Sequence, residues 1–460
     1  MVLETVRRNV YKGDAFQEKF RQNKVFFTKL WIFFTPIIHA PLITAYKAIY
    51  IVLSNCIRCR LNNTINFNKY ILSYHKNKRN QYVRENYTNA LEIFGAKVNA
   101  RQRSHSDATM SLEVAKRAID FLWEHSVDSE GVAIGLYGGE PLLQFPLVRS
   151  IVEYSKKRFF GKNLTFSMTT NGSLLSDEIV SFLEENDVSL LISMDGPKEI
   201  NDRNRVFRNG TGTFDVVARN LQSMKSKFPE YWSKVRISMV IDTNNDLDEV
   251  GKIISELGIE PSKLKPSLID CEYDNLPTTM TNEYYCKQEY HRFLSYLAHW
   301  NRYPTGKVSP ILQSRVETTI ENRDQIFQKA PLREYDSPSG PCVPGQLRLL
   351  VDVNGNFYPC ERVSETSDVA HIGSLDNGFD LDKVERFLNA SRVTRDVCIN
   401  CWCFRFCNQC GKRADSGGSE LDAQSKLKYC AATRRAALFE IENYLLTSEI
   451  PMYYKDFVEV

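Results

Sequence analysis

From about residue 106 onward, apolar and polar positions alternate between two periods. Leu112, Ala115, Ile119, Leu122 and Trp123 recur at helical spacing behind Ser111, whose hydroxyl suits a helix cap. The apolar run Val132-Ala133-Ile134-Gly135-Leu136-Tyr137 then predicts a strand that ends at Gly138-Gly139-Glu140-Pro141. Residues 164–170 predict a second strand, ending in Thr170-Asn171-Gly172. A helix from Ser176 follows, with Ile179, Phe182 and Leu183 on one face. Residues 188–194 predict a third strand, closed by Asp195-Gly196-Pro197. A fourth covers 235–241, before a helix from Asp246 to Gly258, and 264–269 is a candidate fifth.

Strands that alternate with helices predict a parallel sheet, open or closed into part of a barrel. In such sheets ligands bind at the carboxyl ends of the strands. All three glycine-containing motifs fall at such ends. One of them alone would be a turn; three in succession predict a single site where backbone comes close to a ligand.

At 460 residues, with 43% hydrophobic and 25% charged content, the chain reads as a soluble globular protein of two or three domains. Its net charge of +3 is unevenly spread: residues 1–100 carry 16 Lys/Arg against 5 Asp/Glu, an excess of +11 that the remainder offsets with −8. Such a basic segment suits nucleic acid, a membrane surface or simply solvent, and no nucleic-acid partner is expected from it. The first 25 residues are charged and contain no cleavable apolar stretch. Residues 30–46 carry no formal charge, but the run is short for a bilayer span and is interrupted by Pro36, His39 and Pro41, so no membrane segment is expected. Clustered cysteines without an export signal point to metal in a reducing cytoplasm rather than to a disulfide scaffold.

Eight of the twelve cysteines lie between residues 342 and 430. Cys342 precedes Gly355, which stands five residues ahead of Cys360; then come Cys398-x2-Cys401-x5-Cys407-x2-Cys410, and finally Cys430. Thiolates bind soft metals and iron–sulfur clusters, and C-x2-C brings two sulfurs from one tight turn to the same centre. The spacing says metal; by itself it leaves zinc and iron–sulfur both open.

Gly138-Gly139-Glu140-Pro141, Thr170-Asn171-Gly172 and Ser193-Met194-Asp195-Gly196, each at a strand end, resemble the radical S-adenosylmethionine enzymes. The cysteine series resembles the seven-cysteine signature of the SPASM branch, which includes sulfatase maturases and peptide-modifying enzymes, with one residue fewer between Cys407 and Cys410 than its commonest form. The likeness runs from about Ser104 to near Val460. It implies a partial (β/α)6 TIM-like barrel over residues 106–338, a cluster-binding SPASM-like domain over 339–435 and a C-terminal helix and tail over 436–460. Residues 1–105 are an N-terminal segment whose structure the sequence leaves open. The cofactors implied are S-adenosylmethionine and 4Fe–4S clusters. Gly138, Gly139, Glu140 and Pro141 would hold the methionyl amino group of S-adenosylmethionine. Asn171, Ser193 and Asp195 would lie near its ribose and carboxylate, with Arg205 a further candidate for the carboxylate. Cys398, Cys401, Cys407 and Cys430 would ligate one auxiliary cluster, and Cys342, Cys360 and Cys410 the other, leaving an iron open. Glu361 would be the base that takes a proton from substrate, or else an ion-pair partner of Arg348 or Arg362. Cys403 is extra, and a structural thiol is expected.

One departure is plain in the sequence. The C-x3-C-x2-C loop that holds the cluster cleaving S-adenosylmethionine is missing; the nearest feature is Cys56-x2-Cys59. Two thiolates do not hold a cubane cluster reliably. Residues 31–103 also lack periodicity, so a disturbed reading frame is expected there; a degenerate relative and unrecognised ligands are the alternatives. The resemblance implies reductive cleavage of S-adenosylmethionine, hydrogen abstraction from a peptide or protein substrate, and a low-potential electron donor such as a ferredoxin or flavodoxin. Thioether or other cross-link maturation of a ribosomal peptide is the first expectation, formylglycine formation in a sulfatase the second. An inactive relative, or a zinc-ribbon binding protein without radical chemistry, is the rival class.

Overall fold

The structure is a computed structural model that describes residues 89–94, 108–268, 282–322, 338, 343–346 and 348–453. The chain divides into two compact units, Met1–Lys69 and Tyr70–Val460, and every described residue belongs to the second. Residues 30–46, Cys56, Cys59, Cys271 and Cys342 lie outside the described residues.

Strand β1 (Asn89–Phe94) is followed by helix α1 (Leu112–Glu124), then β2 (Gly131–Tyr137), α2 (Phe145–Arg158), β3 (Asn163–Thr170), α3 (Asp177–Glu185) and β4 (Val188–Ser193). Three helices, α4 (Lys198–Asn204), α5 (Phe214–Lys227) and α6 (Pro229–Lys234), lead to β5 (Arg236–Ile241), and α7 (Leu247–Leu257) leads to β6 (Leu264–Leu268). Strands β1 to β6 lie side by side in sequence order and all pair in parallel. This is the partial (β/α)6 arrangement expected. Ser111 caps α1 by accepting from Val114 N, Ser176 caps α3 by accepting from Ile179 N, and Gly258, at φ +58°, lies just beyond α7.

Alternate strand residues explain the layering. Val132, Ile134 and Leu136 of β2, Val188, Leu190 and Ile192 of β4, and Ile237, Met239 and Ile241 of β5 are buried, and they join the helices in one core. The opposite face carries small or polar side chains that stay partly or fully exposed, among them Thr165, Ser167, Thr169, Ser193, Ser238 and Ser267. A sheet whose other face is both polar and open suits the interior of a partial barrel.

After β6 come α8 (Asn282–His299) and α9 (Pro310–Asn322), and the chain then returns as β7 (Arg348–Val351) beside β1, parallel to it. Strands β8 (Asn356–Tyr358), β9 (Gly373–Ser374) and β10 (Gly378–Phe379) extend that edge in antiparallel fashion, giving a sheet of ten strands among the described residues. Short helices α10 (Leu381–Leu388), α11 (Arg395–Cys398) and α12 (Ala423–Leu427) and the long α13 (Cys430–Tyr453) complete the described part.

Within the segment 1–105, whose structure the sequence leaves open, β1 is a central strand, made one by its pairing with β2 and β7 rather than by its own pattern. The barrel and the cysteine-rich part also share one sheet through β7. The long last helix begins at Cys430. Its buried positions are Ala437, Glu442, Asn443 and Thr447, whereas Leu438, Ile441 and Leu445 are only half-buried. Asn443 Oδ1 accepts from Arg292 at 2.7 Å and from Tyr296 at 2.7 Å, which ties α13 to α8.

Candidate functional site

The loops after β2, β3 and β4 occupy one edge of the sheet because these strands are adjacent and parallel. Glu140 knits the first two loops together. Its side chain is buried, and it accepts hydrogen bonds from Leu142 N at 3.1 Å, Thr170 Oγ1 at 2.7 Å and Asn171 N at 2.6 Å. Burial nevertheless pushes its carboxyl above the ordinary value of 4.5, against the lowering effect of those three bonds. Gly138 stands at φ +152°, a backbone state that favours glycine. Asn171 Oδ1 accepts from Ser173 N at 2.8 Å, and Asn220 Nδ2 holds Gly172 O at 2.9 Å. Gly172 has φ +76°, and a Cβ there would meet Ile192 Cγ2 at 2.9 Å and Val217 Cγ1 at 3.0 Å, so only glycine lets this loop settle onto β4.

Asp195 secures the third loop. Arg205 grips both its oxygens, at 2.7 and 2.8 Å, and Val240 N of β5 donates to it at 2.9 Å. Its own amide donates to Asn201 Oδ1 at 3.2 Å. The Arg205 guanidinium, expected as a candidate for the cofactor's carboxylate, is thus engaged with Asp195. Ser193 ends β4 opposite Ser238 and lies on the open, polar face.

The late cysteines fall into two groups. Cys398, Cys401, Cys407 and Cys430 line one pocket, together with Cys403, Lys426, Thr433 and Arg434. Local structure explains their places: Cys398 ends α11, a turn bonds Cys401 N to Cys398 O at 3.0 Å, and Cys430 opens α13. Cys403 is buried, its thiol lies 3.8 Å from Thr433 O, and burial raises its pKa to about 12. Cys360 and Cys410 form the second group and are close enough to interact electrostatically. Gly355, at φ +83°, makes the β7–β8 turn with Asp352, whose Oδ1 accepts from Asn354 N and Asn356 N, and this hairpin delivers Cys360. Burial lifts the Cys360 thiol to about 11. Cys360 and Tyr137, the residue before Gly138, pack against one apolar cluster that contains Leu350 and Tyr358.

Glu361 meets the expectation of an ion-pair partner. Arg348 Nη1 donates to both its oxygens at 2.9 and 2.8 Å, and Arg362 Nε stands 3.5 Å away. Among the described residues no three His, Cys, Asp or Glu side chains converge tightly enough for a single ion. Sequence reasoning missed Lys426, Arg434, Thr170 and Asn220; of these, Thr170 stands within the Thr170-Asn171-Gly172 motif, where it reads as a turn residue. It also missed the Ser/Thr lining of the open sheet face, although the alternation in Thr165, Ser167 and Thr169 announces it.

A family model described as the radical SAM superfamily matches residues 98–256. The chain carries a radical SAM domain. A cysteine-type anaerobic sulfatase-maturating enzyme of Clostridium perfringens is 27% identical over 305 residues, which cover 64% of this chain and 76% of that enzyme. An uncharacterized protein of Methanocaldococcus jannaschii is 31% identical over 163 residues, 35% of this chain, and the match spans about half (54%) of its length. A solved structure of native anSMEcpe with bound AdoMet superposes with a TM-score of 0.58 at 20% identity, covering 78% of this chain and all (100%) of that one, a likeness of fold.

The radical SAM class works with S-adenosylmethionine and 4Fe–4S clusters. The late thiolates fit such clusters: they are soft donors arranged in two groups. The cluster that cleaves S-adenosylmethionine does not fit the same test. No cysteine lies between Phe94, where β1 ends, and Ser111, which caps α1, and the only cysteines before Cys271 are Cys56 and Cys59. Among the described residues no helix is long and apolar enough to cross a membrane.

Proposed function

We propose that this is a peptide-modifying radical S-adenosylmethionine enzyme of the SPASM branch, acting on a ribosomally made peptide that it cross-links through a cysteine sulfur. The observation that carries this proposal is the joint presence of three adjoining strand-end loops beside a Ser/Thr-lined sheet face and two groups of late cysteines. Gly138, Gly139, Glu140 and Pro141 would hold the cofactor's amino group, chiefly through backbone carbonyls, because the Glu140 carboxylate already accepts three hydrogen bonds. Asn171, Ser193 and Asp195 would border its ribose and carboxylate, with Arg205 acting through Asp195. Cys398, Cys401, Cys407 and Cys430 would ligate one auxiliary cluster, and Cys342, Cys360 and Cys410 the other. In substrate chemistry Glu361 would serve as base only after leaving Arg348. A low-potential ferredoxin or flavodoxin would supply electrons, in the cytoplasm.

The likeness to the Clostridium enzyme favours a second proposal, formylglycine formation in a sulfatase. A zinc-ribbon binding protein draws less support, because it does not account for the three adjoining strand-end loops and because among the described residues no three such ligands converge on a single ion.

No step is assigned to the cleaving cluster, whose three thiolates the chain does not supply between β1 and α1. The C-x3-C-x2-C loop is proposed to lie in another frame of codons 30–105. The test compares the chain as encoded with one carrying that frame, both reconstituted anaerobically with iron and sulfide and given S-adenosylmethionine and dithionite. Formation of 5′-deoxyadenosine by the frame-corrected chain alone supports the proposal. No frame with the loop, or no product from either chain, overturns it.

A further inference from the structure

Lys426 is 2% exposed, a burial that is costly for an ammonium group unless an anion or a full set of acceptors compensates it, as two backbone carbonyls do for the equally buried Lys263. Lys426 has neither among the described residues. Its Nζ reaches the Thr394 hydroxyl at 2.8 Å and Cys398 Sγ at 3.7 Å. The helix that carries it, α12, is capped by Asp422, whose carboxylate accepts from Ser425 N at 2.5 Å. A second cation lines the same pocket: Arg434 hydrogen-bonds Cys401, and its buried Nε lacks a partner. Gln409 adds a donor, with Nε2 3.8 Å from Cys430 Sγ. Two cations and an amide therefore surround a pocket whose other polar side chains are cysteines and one threonine, with no carboxylate among the described residues. Left with thiols alone, the pocket would confine uncompensated positive charge. Four thiolates around a 4Fe–4S core carry about two net negative charges, which balance it.

We propose that Lys426, with Arg434, is the built-in countercharge of the centre held by Cys398, Cys401, Cys407 and Cys430, and that Lys426 sets the reduction potential of that centre. This rests on the cluster ligands proposed above. Lys426 is a positioning residue: it stabilises the reduced, more negative form of the cluster without touching substrate. Removing its charge makes the cluster harder to reduce.

The test uses the full chain with Cys360→Ala and Cys410→Ala, so that only the Cys398 site is populated, reconstituted anaerobically with iron and sulfide. Iron, sulfide and zinc are counted, and the reduction is followed by electron paramagnetic resonance in a redox titration. With Lys426 intact, about four iron and four sulfide are expected. Lys426→Met is expected to retain most of the iron and to shift the one-electron equilibrium about tenfold toward the oxidised form, about 59 mV more negative. Lys426→Arg restores the potential. A second readout needs no cluster: in the metal-free chain Lys426→Met raises the urea midpoint, because an uncompensated buried cation is gone, whereas loss of a merely structural bond to Thr394 lowers it. A full iron count in Lys426→Met with an unchanged potential, or a lowered metal-free midpoint, overturns the role of Lys426. Zinc in place of iron with Lys426 intact overturns the cluster assignment itself, and the countercharge role with it.

Discussion

Replacing Glu140 with alanine removes the acceptor of three donors at once. The Leu142 amide and the Thr170 hydroxyl belong to buried residues, while Asn171 is half-buried and reaches water. A buried donor left without a partner costs roughly 1–3 kcal/mol, so two of them amount to roughly 2–6 kcal/mol. Relief of the carboxylate's desolvation offsets part of this, and a net local loss of about 3 kcal/mol is expected. Hydrogen exchange at the Gly172 and Ser173 amides reads it, since their own acceptors, Thr170 Oγ1 at 3.1 Å and Asn171 Oδ1 at 2.8 Å, are left in place. At 1.4 kcal/mol per tenfold, these amides should exchange about a hundredfold faster in Glu140→Ala. Glu140→Gln should fall between the two, because its carbonyl oxygen still serves Leu142 and Thr170 while its amide faces the Asn171 N–H. The pH dependence has a definite sign. Burial raises the folded-state pKa above 4.5, so protonation favours the folded loops. That contribution is complete below about 4.5 and is lost as pH climbs through the raised value. Protection in the parent chain should therefore fall over that window relative to Glu140→Gln. Exchange less than about threefold faster in Glu140→Ala, or relative protection that rises across the window, would refute the lock assigned to Glu140.

Asp195→Asn breaks the two-pronged pair with Arg205, whose side chain is 26% exposed, and should lower stability by about 2–3 kcal/mol after discounting for solvent. A double-mutant cycle with Arg205→Met should give a coupling above about 1 kcal/mol; additive losses would mean that the pair is idle. Gly172→Ala forces a side chain against Ile192 and Val217 at φ +76° and should cost about 2–3 kcal/mol in thermal denaturation, more than Gly161→Ala, where φ is +82° but nothing lies within 4 Å. Cys403→Ala should leave the iron count of the reconstituted chain unchanged while lowering stability by about 1–2 kcal/mol; loss of iron would make Cys403 a ligand.

Much of the barrel was legible because its strands are buried on one face and its helices carry their own caps. Ser111, Ser176 and Gly258 marked helix ends, and each stands where the sequence put it. β1 escaped notice because Asn89-Ala-Leu-Glu-Ile-Phe94 shows little alternation and owes its state to neighbours on both sides. Helices α4 and α6 between β4 and β5 are too short to show a period, whereas α5 carries Phe214, Val217, Ala218, Leu221 and Met224 at helical spacing, a legible period that sequence reasoning missed. At the site, motif spacing located the loops but not their internal bonding. The Arg348–Glu361 pair was one of two roles the sequence left open for Glu361, whereas that Arg205 binds Asp195 is a consequence of packing that no spacing encodes. Lys426 carries no sequence signal at all; only its burial beside Cys398 sets it apart.

Iron and acid-labile sulfide counting on the anaerobically reconstituted chain, with zinc measured alongside, tests the central claim most directly. Two auxiliary centres predict about eight iron and eight sulfide per chain and no zinc, falling by about half in Cys398→Ala/Cys401→Ala and by a separate half in Cys360→Ala/Cys410→Ala. A colourless chain that binds zinc, or iron that survives both pairs of substitutions, would contradict it.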